Sequence, residues 1–89
     1  MIDEVIKIEG DKIGSISHVF AQIGVAVIEL TGDLKVGDKI RIKGSTTDVE
    51  QEVNSMQIDK QPVNEASSGQ SIGMKVGDKV RVGDEVYRL

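Results

Sequence analysis

With 89 residues and no cysteine, the chain has room for one hydrophobic core and for neither a disulfide framework nor a thiol nucleophile. A formal charge of −4 argues against unspecific attraction to phosphate backbones or anionic membranes, while leaving room for a local basic face. Val and Ile supply 23 of the 34 hydrophobic residues, and their branched side chains favour a pleated sheet over a helix, so the expected class is all-β.

The N-terminus, Met1-Ile2-Asp3-Glu4, is acidic where a signal peptide would be basic, and no long apolar run follows, which gives a cytoplasmic expectation. Gly-Asp pairs at 10–11, 32–33, 37–38, 77–78 and 83–84 punctuate the chain as turns. They lack the close spacing of a calcium loop. Val5 to Glu9 and Ile13 to Phe20 flank the first pair and read as a hairpin, with residues 1–11 forming an N-terminal extension or strand of a single domain spanning 1–89.

Val25 to Leu30 is nearly all apolar and reads as a strand covered on both faces. Lys39 to Lys43 alternates, with Ile40 and Ile42 inward and Lys39, Arg41 and Lys43 outward. Thr47 to Val53 alternates as well, and the odd step from Val53 to Met56 predicts a β-bulge near Asn54-Ser55. Gln61 to Gly69, with Pro62, reads as a loop holding at most one helical turn over Val63 to Ala66. Gln70 to Val76 and Val80 to Arg88 read as the last strands. An open sheet of this length would expose two edges, so a closed, mainly antiparallel barrel is expected. Its predicted core includes Val36, Ile40, Ile42, Val53, Ile72 and Val86. Lys35 to Ile42 recurs as Lys75 to Val82, read as one turn-into-strand solution used twice.

Catalytic chemistry is hard to assemble from these residues. The only histidine, His18, neighbours Ser17 on a predicted strand, where adjacent side chains point to opposite faces and cannot form a nucleophile–base pair. One His without Cys makes a zinc site improbable, and the carboxylates at Asp48, Glu50 and Glu52 are explained by a solvated strand face. Gly32 to Ile40 lacks the Gly-Lys-Ser/Thr ending of a phosphate loop and leads into a strand, so nucleotide binding is rejected there. The expectation is a protein that is no enzyme and uses no cofactor or metal. Lys35, Lys39, Arg41 and Lys43 cluster around one strand, the last three projecting at about 7 Å intervals. They are the candidate contact for RNA or an acidic partner.

Leu34-Lys35-Val36-Gly37-Asp38-Lys39-Ile40-Arg41-Ile42-Lys43-Gly44, Val53 to Gln57, Pro62 to Gln70 and Val82 to Tyr87 resemble, in order and spacing, the second domain of translational GTPases such as elongation factor Tu. The chain from about Lys12 to Leu89 also resembles small stand-alone elongation-factor-like proteins. That resemblance implies a closed six-stranded barrel contacting transfer RNA, ribosomal RNA, or a translation or RNA-modifying protein. The GTPase domain is absent, and the Gly-Arg pair of the family's second strand is replaced by Val25-Ala26-Val27-Ile28-Glu29. A similar barrel is the accessory C-terminal domain of a collagenase-like peptidase family. The expected function is therefore a non-catalytic binding module of translation or RNA metabolism. The alternative is a protein–protein accessory barrel acting in trans on a larger enzyme or self-associating, and neither reading involves a membrane or nucleotide.

Overall fold

A computed structural model describes residues 10–89. The predicted strand at Val5 to Glu9 and most of the 1–11 extension lie outside the described residues. Ten strands follow in order: β1 Asp11–Phe20, β2 Val25–Leu30, β3 Leu34–Lys35, β4 Lys39–Lys43, β5 Asp48–Glu52, β6 Met56–Ile58, β7 Gln61–Val63, β8 Glu65–Ala66, β9 Ser71–Lys75 and β10 Glu85–Arg88. No helix occurs among the described residues, so none is long and apolar enough to cross a membrane. The all-β class follows directly from the Val/Ile excess.

Eight strands form one antiparallel sheet in the order β5-β4-β10-β1-β2-β9-β6-β7, and β3 pairs with β8 beside it. The sheet curls into a half-barrel around Ile16, Ile28, Ile40, Ile42, Met56, Ile72, Met74 and Val86, all buried, and Leu34 and Ala66 of the small sheet pack onto the same core. Of the predicted core, Ile40, Ile42, Val53, Ile72 and Val86 are completely buried, whereas Val36 is 38% exposed.

The expected closed six-stranded barrel is not what forms. β5 and β7 remain edges, and no ladder joins them. The Gln51 side chain on β5 donates to the Lys75 carbonyl at the end of β9 (3.0 Å) and accepts from the Gly77 amide (3.1 Å). The predicted strand over Val80 to Arg88 begins only at Glu85, because Arg81 to Asp84 forms a tight turn. In it the Arg81 amide donates to the Asp84 carboxylate (2.8 Å), and the Asp84 amide donates back to the Arg81 carbonyl (3.1 Å). Gly83 occupies its third position at φ +95, a conformation glycine adopts without a Cβ penalty. β1 meanwhile bulges between Ile16 and His18, where its pairing with the chain before β10 ends.

Lys35 to Asp38 repeats that turn: Lys35 N–H donates to the Asp38 carboxylate (3.0 Å), Asp38 N–H donates to the Lys35 carbonyl (3.1 Å), and Gly37 sits at φ +100. Val36 and Val82 are the second residues of the two turns and point to solvent, which is why Val36 leaves the core. The repeat seen in the sequence, at Lys75 to Val82, is therefore not the one the fold uses. The predicted bulge at Asn54-Ser55 is a crossover instead, carrying the chain from edge strand β5 to β6 on the other side of the sheet. The predicted loop with a helical turn at Gln61 to Ala66 holds β7 and β8, with Pro62 on an edge strand, where its missing N–H costs no ladder bond.

Candidate docking surface

Side chains alternate across a sheet, so the residues between the core positions form one continuous outer face, and cross-strand register shows who sits beside whom. The half made by β10, β4 and β5 is charged. Lys39, Arg41 and Lys43 share this face as predicted, each directly across from a carboxylate: Glu52, Glu50 and Asp48. Arg41 grips Asp48 through both carboxylate oxygens (2.8 Å each), and the Lys43 ammonium lies 3.5 Å from the same group. The Arg41 hydrogen bonds, with its charge and that of Lys43, outweigh desolvation and hold the Asp48 carboxyl down at about 2. Next to it, Tyr87 Oη donates to Glu85 (2.7 Å) and Lys12 pairs with the same carboxylate (3.2 Å). These contacts lower the Glu85 pKa, the tyrosine bond first, and the Glu85 acceptor raises that of Tyr87. Lys35 is separated from this group. It lies on β3 in the small sheet, opposite Glu65.

The half made by β1, β2 and β9 carries an apolar patch, bordered by Lys75 opposite Val25 and by Glu29 opposite Ser71. Phe20 lies across from Val25, and His18 across from Val27, so the four share the outer face. The His18 and Phe20 rings stack with centroids 4.6 Å apart, tilted by 41°. Phe20 is 46% exposed, and Ile23, in the turn between β1 and β2, is 62% exposed. Beside Val27 on β9 stands Gly73, with Gln57 of β6 on its other side. Gly73 lies on an open depression of about 570 Å³ bounded by Phe20, Ile23, Val25 and Val27, and by Asp59 and Lys60 of the β6–β7 turn. The expectation that β2 is covered on both faces is thereby corrected. Ala26, Ile28 and Leu30 are buried, but Val25 and Val27 face an uncovered surface among the described residues. Ser17 does not approach His18 as a nucleophile; its hydroxyl donates to the Val27 carbonyl at 3.4 Å.

Reading composition as strand burial hid this surface, since an apolar strand looks the same whether its second face meets the protein or a partner. Two local signals point to it: a glycine within the Ser71–Lys75 strand, and the apolar turn Phe20-Ala21-Gln22-Ile23 at a hairpin tip.

Comparison with known proteins places this β-fold. The C-terminal domain of a U32 peptidase of Geobacillus thermoleovorans superposes with a TM-score of 0.84 at 14% identity, covering 96% of this chain and 99% of that one. Its selenomethionine variant gives 0.82, covering 86% and 98%. The fold is therefore that of a peptidase C-terminal domain. An uncharacterized protease of Methanocaldococcus jannaschii is 46% identical over 79 residues, 88% of this chain and 19% of that protein. A collagenase of Porphyromonas gingivalis is 42% identical over 72 residues, 79% of this chain and 20% of that protein. The chain thus spans about a fifth of the length of the curated relatives it matches. No family model matches it.

These findings overturn the assignment to the elongation factor Tu family and, with it, the expected role in translation or RNA binding. The expectation that the protein is no enzyme is corrected too, since the named relatives are a protease and a collagenase. Of the four segments behind the resemblance, Leu34 to Gly44 contains the Lys35–Asp38 turn and Val82 to Tyr87 begins within the Arg81–Asp84 turn. The residues of these two turns are dictated by backbone geometry and carry no information about a ligand.

Proposed function

We propose that this chain is an accessory β-domain of a peptidase, docking through the β1–β2–β9 outer face onto the part of the enzyme that cleaves polypeptide. The observation that carries the reading is the kinship of most of the chain with about a fifth of a named protease and of a named collagenase. The apolar face supports it. Contacts between domains of one chain need a surface that water does not satisfy, and an apolar patch rimmed by polar residues has that character. The charged half of the face supports it by contrast, because its ion pairs are already made within the domain.

The test uses the Porphyromonas gingivalis collagenase. Deleting its matching stretch should lower collagen cleavage several-fold, and putting this chain in that place should restore it. Unchanged cleavage after deletion would refute an accessory role for this domain type.

A further inference from the structure

We infer that Gly73 marks a receptor for one large apolar side chain, contributed by the part of the peptidase outside this domain. The hole rests on this structure alone, whereas the identity of the guest rests on the function proposed above.

Glycine in a strand interior costs backbone entropy and leaves a gap in the packed face, so it calls for a reason. At Gly10 the reason is visible: its φ is +108, and a Cβ would collide with the Arg88 carbonyl. At Gly14 a Cβ would press on the Glu29 carbonyl at 2.5 Å. At Gly73 neither applies. Its φ lies outside the left-handed region, and a Cβ would meet only Val25 Cγ1, at an ordinary 3.7 Å. A Cβ therefore finds room at Gly73, yet the chain places none there.

A second departure from local rules borders the same depression. Asp59 and Lys60 form the two-residue loop between β6 and β7, with Ile58 paired to Gln61. Their φ values are 52° and 65°, where the second position favours glycine and a lysine is strained. Rules broken without a packing gain concentrate at functional sites. Here a missing side chain and a strained turn lie on one apolar depression, which suits a side chain arriving from outside. Its source follows from length: the matched relatives carry all but 19–20% of their chains beyond this domain, so this face has a large body to meet.

The first arm of the test is an NMR titration with N-acetyl-phenylalaninamide as the guest side chain and N-acetyl-alaninamide as control. The phenylalanine compound should shift the amides of Ile23, Val25, Val27 and Gly73, and leave Arg41 and Lys43 unmoved. The Gly73→Val variant should melt at an equal temperature or higher by about 2–6 °C, from the added strand propensity, and lose these shifts. No shift in the wild type, shifts retained in Gly73→Val, or a marked drop in its melting temperature would each overturn the receptor. If Gly73→Val fails to fold, the glycine is structural and the inference falls, unless Gly73→Ala folds and weakens the shifts. The second arm places Gly73→Val in the collagenase graft. Cleavage restored by the wild-type graft should fall several-fold in the variant. Equal cleavage would overturn the assignment of the guest, and failure of the wild-type graft would refute the peptidase reading while the titration still decides the hole.

Discussion

The two halves of the outer sheet face rest on the same kind of core and differ in how they meet water. Beneath the charged half lie Ile40, Ile42 and Val86, and beneath the apolar half lie Ile28, Ile72 and Met74, all buried to within 1%. Above them, β4 and β5 set Lys39, Arg41 and Lys43 against carboxylates in register, and Arg41 and Lys43 both pair with Asp48. β1, β2 and β9 carry Phe20, half exposed and stacked on His18, with Val25, Val27 and a glycine beside it. Basic residues gathered on a strand are thus poor evidence for a polyanion site when the neighbouring strand is acidic. Half-exposed branched residues around a glycine say more about where a partner sits.

Five changes would break or sharpen this contrast. The largest effect should come from the shared core. Ile28→Ala and Ile42→Ala should each cost about 2–5 kcal/mol in denaturant unfolding, because each leaves a cavity in a packed interior. A much smaller loss at one of them would mean that the halves are not equally supported. Phe20→Glu should change stability by no more than about 0.5 kcal/mol, since the side chain is half exposed, while removing the collagen cleavage restored by the graft. Unfolding of that variant would make Phe20 structural.

Asp48→Asn acts on the charged half and should have a modest effect that depends on pH. The folded-state pKa of Asp48 is depressed from 3.8 to about 2, so its contribution is present above the ordinary carboxylate range and is lost as pH falls from 3.8 towards 2. Melting curves of wild type and Asp48→Asn should therefore differ at neutral pH and converge in that acid window. The smallest effect is at Tyr87, whose pKa is raised by its bond to Glu85. Its stabilisation is present below the ordinary tyrosine value and fades as pH rises through the folded one. In a spectrophotometric titration, Glu85→Gln should bring the tyrosine back towards its ordinary pKa.

How far the fold could be read in advance depended on whether local chemistry or distant contacts decided each element. Val25–Leu30 and Lys39–Lys43 were legible to the residue, the first as an apolar run and the second by its clean alternation, each bounded by turn residues. The start of the last strand was not legible, since it depends on whether Arg81 to Asp84 extends or turns. Two hydrogen bonds to Asp84 decide that, within a segment rich in valine. Val36 was misplaced for the same reason: a turn overrode the alternation around it. Of the candidate site, the basic residues were visible and their geometry largely right, but the register that sets Glu50, Glu52 and Asp48 against them is a tertiary fact. The apolar face was hidden because Val25 and Val27 look the same in a sequence under any cover.

Hydrogen–deuterium exchange tests the docking claim most directly, comparing this chain alone with the same chain grafted into the collagenase. The account predicts slower exchange in the graft across Phe20 to Val27 and at Gly73, with Lys39 to Asp48 unchanged. Protection confined to Lys39 to Asp48, or no protection anywhere in the domain, would contradict it.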